Sequence, residues 1–250
     1  MIKRQKPEIE FITYNFLSRK EYPVKPAKEF IPQEWKNISR SNEFGEGTIK
    51  ACPGISDWMM QGYIIPAWTD MEVVYNEFGP DLKLGRSGTG SAHPPYQCEG
   101  FLDSKSHYGG SVKLPCNWYI KTAPGWSIMI LPLWYHKTLP DMEAMPGIIH
   151  SDEHHTEVNI NFILKTKENF SVKAGTPLVQ IVPFKRQNVH GVSRAATDID
   201  KKRHNLWLVI YTNVINGITK FYKKKTQYTL ERKDLDFEES LKYPLEHNNP

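Results

Sequence analysis

The sequence predicts a mainly β protein, and three observations carry that expectation. Aromatic residues are abundant (7 Trp, 12 Tyr and 11 Phe), and 18 Pro interrupt the 250-residue chain often enough to keep helices short. Between residues 118 and 185, apolar segments of strand length follow one another, separated by turns such as APG and AGT. Within that stretch TEVNINFIL alternates cleanly. Val158, Ile160 and Phe162 fall on one face and Glu157, Asn159 and Asn161 on the other, the period of a half-buried strand.

Taken in order, EIEFITYNF reads as a first strand. YPVKPAKEFIPQEWKNI follows, in which Pro23, Pro26 and Pro32 block a long helix and favour a segment running extended over a surface. In DWMMQGYIIPAWTDMEVVYNEFG, Gly62 and Pro66 break the first part, while DMEVVYNE has the composition of a strand. GRSGTGSAHPPYQ and SHYGGSVKLP read as loop-like tracts. NWYIKT and WSIMILPLWY read as two adjacent strands with a short connection, and ENFSVKAGTPLVQIVPFKR as two strands about a turn at Gly175. Asp198 and Asp200 suit the cap or first turn of a helix covering much of residues 200–225. Trp207, Ile210, Tyr211, Val214, Ile218 and Phe221 would be its buried stripe, although the β-branched content leaves a strand open. The chain therefore divides into an N-terminal extended and β portion (1–117), a β core (118–190) and a basic helical segment (191–250).

Composition excludes several classes. An apolar fraction of 39%, a charged fraction of 24% and a net charge of +4 suit a folded globular chain and not a disordered one. Cys52, Cys98 and Cys116 are odd in number and widely spaced, which argues against a disulfide framework or zinc ribbon and for buried thiols in a reducing compartment. MIKRQKPEIE is charged with no apolar run behind it, so no secretory signal is read. WSIMILPLW is too short for a membrane span and is broken by Pro132, so a soluble intracellular protein is expected.

Residues 118–183 carry a further pattern: APGWSIMILPL, then MPGIIHSDEHHTEVNINF, then FSVKAGTPLVQIVPF. This order resembles the core of dUTPases and their relatives, which implies a β-clip barrel wrapped by the N-terminal portion and followed by the C-terminal helix. In such proteins a Pro-x-Gly-aromatic turn leads into a strand, a Gly-x-x-Asp-x-Asp-Tyr turn precedes an alternating strand, and a last Gly turn opens another. Here Gly147, Ile148 and Ile149 open the middle motif, Asp152 holds its second acid, and Gly175 to Gln180 form the last. The chemistry transfers badly. The family's water-activating Asp falls at His150, its uracil-supporting Tyr at Glu153, and its phosphate-clasping Arg-Ser at Leu133 and Trp134; no Gly-rich arm is read in the closing LKYPLEHNNP. A triphosphate needs dense cationic and N–H donors and a metal carboxylate, so dUTP hydrolysis is not expected. GRSGTGS lacks the Lys of a P-loop and reads as a turn.

Across residues 20–190, YPVKPAKEFIPQEWK, KACPGISDWMMQGYIIPAWTDMEV, PGWSIMILPL and KAGTPLVQIVPFKR resemble a family of uncharacterised tailed-phage proteins. That resemblance implies a viral origin, hence the host cytoplasm or the virion, and brings no activity. The family's middle motif reads Asp-x-Asp, so His150 is a departure.

Three sets of residues could carry chemistry. His150 and Asp152 are the candidate catalytic pair, and with His190 they outline a metal set of two His and one carboxylate, near Arg194 in sequence. His150 and His154 have the i, i+4 spacing of a helical pair, but the flanking GII and VNINF favour turn and strand, so that spacing is not expected to be used. Solvated histidines are the plainer reading. Trp58, Tyr63, Trp68 and Asp70 could line a ligand pocket, against the plainer alternative of core or subunit interface. Lys201, Lys202, Arg203, Lys223, Lys224 and Lys225, with aromatics between them, could track the phosphates of a nucleic acid, against the alternative of a solvated helix face. The leading expectation is a phage-type accessory or virion protein acting by binding or assembly, as a homo-oligomer or with other viral proteins. It needs no cofactor and no membrane. The alternative is a divergent metal-dependent enzyme, nucleotide-processing or iron(II)-oxygenase-like, using a divalent metal at residues 150–157.

Overall fold

A computed structural model describes residues 9–85, 88–89, 91–92 and 110–213, with the backbone alone at 88–89, 91–92 and 207–213. The chain forms two compact units, one of residues 1–37 with 56–187, the other of residues 38–55 with 188–250.

The first unit is mainly β. Strand β1 (Ile9–Ile12) precedes the short helix α1 (Phe16–Lys20), which Asn15 caps by accepting from the Ser18 N–H at 2.9 Å. β2 (Lys25–Pro26), a 3₁₀ turn at Ala27–Phe30 and helix α2 (Gln33–Asn37) follow; the prolines do exclude a long helix, but the segment is mostly short helical pieces and not extended as expected. Helix α3 (Pro53–Met60) leads into β3 (Tyr63–Pro66), then β4 (Met71–Asn76), β5 (Gly79–Leu84), β6 (Gly88–Thr89) and β7 (Ser91–Ala92). The remaining strands are β8 (Ser111–Pro115), β9 (Tyr119–Thr122), β10 (Trp126–Leu131), β11 (Met142–Ala144), β12 (Gly147–Ile149), β13 (Asn159–Leu164), β14 (Phe170–Val172) and β15 (Pro177–Lys185).

These strands make four open sheets, in the orders β1-β9, β12-β10-β15-β3-β2, β11-β13-β8-β7 and β14-β4-β5-β6. Every pairing is antiparallel. The sheets share one core. In β13, Ile160, Phe162 and Leu164 are buried while Asn159 is exposed, as the alternation predicts. β15 is buried on both faces from Leu178 to Val182, which explains a run that is apolar apart from Gln180.

Three further expectations need correction. SHYGGSVKLP is not all loop, because Val112 and Leu114 alternate into the core from β8, between β13 and β7. β9 and β10, consecutive in the chain, do not pair; β9 joins β1, and β10 lies between β12 and β15. Of the cysteines, Cys116 is buried but Cys52 is exposed, and Cys98 lies outside the described residues.

The corner between α3 and β3 is tightly determined. Gly62 adopts φ +70°, and a Cβ there would lie 2.1 Å from the Ile181 carbonyl oxygen. The buried Gln180 amide of β15 donates to the carbonyls of Trp58 (2.9 Å) and Gln61 (2.6 Å), satisfying orphan acceptors at the helix end.

In the second unit, helix α4 (Asp198–Asn213) carries Asp198 and Asp200 in its first turn. Thr197 and Asp200 cap it reciprocally: the Thr197 hydroxyl accepts from the Asp200 N–H at 3.3 Å, and the Asp200 carboxylate from the Thr197 N–H at 2.9 Å. Among the described residues no helix is long and apolar enough to cross a membrane.

Candidate functional site

The turn between β12 and β13 holds the residues singled out from the sequence. Among the described residues β12 is an edge strand that pairs only with β10, matching Ile128 to Ile149 and Ile130 to Gly147. On the far side Val158 donates to the Trp118 carbonyl (2.9 Å) and accepts from the Cys116 N–H (3.0 Å), fixing the entry to β13. Between these anchors Ser151 is buried, with its hydroxyl 2.7 Å from that of Thr122.

Asp152 is the electrostatic centre of the turn. Its Oδ1 and Oδ2 each accept from the Arg186 guanidinium at 2.7 Å, and Oδ2 also accepts from the Gly125 N–H at 2.7 Å. The carboxylate side chain is only 7% exposed. Arg186 also donates to the Trp126 carbonyl (3.1 Å) and the Ser127 hydroxyl (2.9 Å), and its own N–H reaches the Gly125 carbonyl at 2.8 Å. The clamp thus joins the β12–β13 turn, the β9–β10 turn and the end of β15. The guanidinium, first, and the Gly125 N–H hold the Asp152 carboxyl at a pKa of about 2, despite the opposing effect of burial, and the same pair raises that of Arg186.

The histidines are less constrained. His150 is exposed. Its carbonyl accepts from the N–H groups of Glu153 (3.0 Å) and His154 (2.8 Å), closing a turn of helical reach. The segment is a turn between two strands, as the flanking GII and VNINF predict, and one hydrogen-bonded turn spans positions 150 to 154. His154 Nε2 lies 3.1 Å from the Thr156 hydroxyl, and His155 Nδ1 lies 3.1 Å from that of Tyr119. Glu153 Oε1 lies 3.5 Å from Arg186 Nη2. His190 lies in the second unit, exposed in an irregular segment, and Arg194 there pairs with Asp200. Among the described residues no group of three or more His, Cys, Asp and Glu is gathered in a metal-holding arrangement.

The four pocket candidates have different roles. Trp68 is buried in the core, and Tyr63 packs on Phe11 with ring centroids 5.0 Å apart. Trp58 is partly exposed on α3. Asp70 is exposed and accepts from the Ala174 N–H (2.9 Å) and Lys173 Nζ (3.2 Å); those two contacts lower its pKa and pin the turn before β15. Lys201, Lys202 and Arg203 are exposed on α4, where Lys201 reaches Asp198 at 3.3 Å; Lys223, Lys224 and Lys225 lie outside the described residues.

Sequence reasoning passed over one cavity, of about 290 Å³, that opens after β10. Leu133, Trp134, Tyr135 and His136 wall it, and Met142 and Leu178 lie at its buried side. His136 Nδ1 is buried without a partner among the described residues, and burial holds its imidazole below the usual pKa. The signal was available as LWYH immediately after Pro132, where Tyr135 takes the left-handed φ of +70°.

The fold and its clamp define a mainly β protein whose turn acid is a structural ion pair. No protein-family model matches this chain, and no curated protein matches its sequence.

Proposed function

We propose that the protein is a phage-type accessory or virion component that works by binding or assembly, with a β-clip-like core of the dUTPase kind from which the catalytic set has been lost. The observation that carries this reading is the Asp152–Arg186 clamp. A general base or metal carboxylate needs lone pairs facing substrate or ion, whereas three of the roughly four acceptor sites of the 7% exposed Asp152 carboxylate are taken by the guanidinium and a backbone N–H. His150 stands where the related enzymes carry the water-activating Asp, so the position that would start hydrolysis has a different chemistry. The enzyme alternative, built on His150, Asp152 and His190 with a divalent metal, would have to break the clamp first.

Assembly is supported by apolar side chains left at the surface. Tyr14 is 98% exposed, and Ile12, Phe16 and Leu17 beside it are also open. Among the described residues β12 has one edge without a pairing strand, with Ile148 exposed, where a chain can add. Size-exclusion chromatography with light scattering tests the reading, together with phosphate and pyrophosphate release from nucleoside triphosphates. A multimer without hydrolysis is expected. A monomer at every concentration, or turnover of any nucleoside triphosphate, overturns it.

A further inference from the structure

The β12–β13 turn brings together two side chains that the clamp does not use. His150 and His154 sit at the two ends of a single turn closed by the His154 N–H on the His150 carbonyl at 2.8 Å. None of Ser151, Asp152 and Glu153 takes a left-handed φ, and the Glu153 N–H also donates to the His150 carbonyl at 3.0 Å. The segment is therefore one helical turn that is not continued. Residues four apart on such a turn lie on one side, with Cβ atoms about 5–6 Å apart, close enough for both imidazoles to reach one ion. A second observation agrees with this geometry. His150, Glu153 and His154 line a single open hollow of about 370 Å³ with Ile148 and Ile149.

We infer that His150 and His154 form a two-imidazole site for a divalent cation of the borderline class (zinc, nickel, cobalt or copper), with water completing the coordination. The backbone between them is anchored by buried Ser151 and by the Asp152–Arg186 clamp, so the turn that carries both imidazoles is formed before the ion arrives. Where the Thr156 hydroxyl accepts from Nε2 of His154, Nδ1 presents the lone pair, an outer partner of the kind that fixes a ligand's tautomer. Selectivity follows from the donor set. Glu153 also lines the hollow, 3.5 Å from Arg186, so two imidazoles face a single carboxylate there. Imidazole suits borderline transition metals, whereas magnesium and calcium need oxygen donors. The site uses neither Asp152 nor His190, requires no catalysis and stands apart from the assembly reading.

The test is calorimetric titration of the full chain, freed of metal by chelator, with zinc chloride, nickel chloride and magnesium chloride. Variants His150→Ala, His154→Ala and His155→Ala are titrated alongside, each checked for unchanged thermal unfolding. Zinc and nickel are expected to bind, and affinity to fall about 10- to 100-fold in His150→Ala and in His154→Ala, at least the loss seen for outer-shell partners. His155→Ala keeps wild-type affinity, and magnesium gives no heat. Wild-type affinity in either of the first two variants, no zinc binding by the wild type, or magnesium binding as tight as zinc overturns the inference.

Discussion

Replacing Asp152 by Asn tests the clamp most directly. The carboxylate accepts three bonds of 2.7 Å, two from the Arg186 guanidinium and one from the Gly125 N–H. An Asn has one carbonyl oxygen, so it cannot keep the bidentate pair, and its NH₂ would face guanidinium donors. The pH dependence gives the magnitude. The ordinary Asp value of 3.8 is lowered to about 2 in the folded protein, chiefly by the Arg186 hydrogen bonds. A depressed folded pKa means that unfolding takes up a proton, so the pair's stabilisation is complete above 3.8 and disappears as pH falls through about 2. Urea unfolding of wild type and Asp152→Asn, followed by tryptophan fluorescence from about pH 6 down to about pH 2, reads the difference. The variant is expected to be the less stable at neutral pH, with the gap closing across the acid window. Equal stabilities at neutral pH, or a gap that persists unchanged to the acid end, would refute the reasoning.

Other expectations are as concrete. Gly62→Ala places a Cβ 2.1 Å from the Ile181 carbonyl oxygen at φ +70°; left-handed strain of about 1–2 kcal/mol plus overpacking of about 1–3 kcal/mol should appear as lost stability in chemical denaturation. Gln180→Leu strips the α3 carbonyls of Trp58 and Gln61 of their buried amide donor and should cost about 1–3 kcal/mol in the same assay. Burial raises the Cys116 thiol to about 12, with the Trp118 carbonyl 3.6 Å away, so in a Cys98→Ser background native protein should react with a thiol reagent once, at Cys52. The second thiol should react only on unfolding.

What the chain discloses by itself is decided by how local the cause is. β13 was legible because its alternation answers to one core face, and β15 because a run apolar on both faces but for Gln180 needs burial on both. Val112 and Leu114 of β8 were hidden by the Gly and Ser before them, since two alternating residues do not outweigh a turn-like context. The expected β9–β10 pairing fails for a nonlocal reason. Gly125, between the strands, gives its N–H to Asp152 and its carbonyl to Arg186, while β9 pairs with β1 and β10 with β12 and β15. At the site the sequence drew attention to Asp152 but not to its partner. Arg186 lies 34 residues beyond Asp152, and no spacing rule connects them. The helical reach of His150 to His154 was likewise masked by strand-forming neighbours on both sides.

The place of β15 in its sheet has a consequence for synthesis. It is the last strand of the first unit in the chain, yet it sits between β10 and β3, which face it from either side. A ribosome that has not yet released residues 177–185 holds a nascent chain with two apolar strand edges facing an empty slot. Folding of this unit therefore waits for its final strand, and the interval before that strand emerges is when β3 and β10 are open to pairing with another chain.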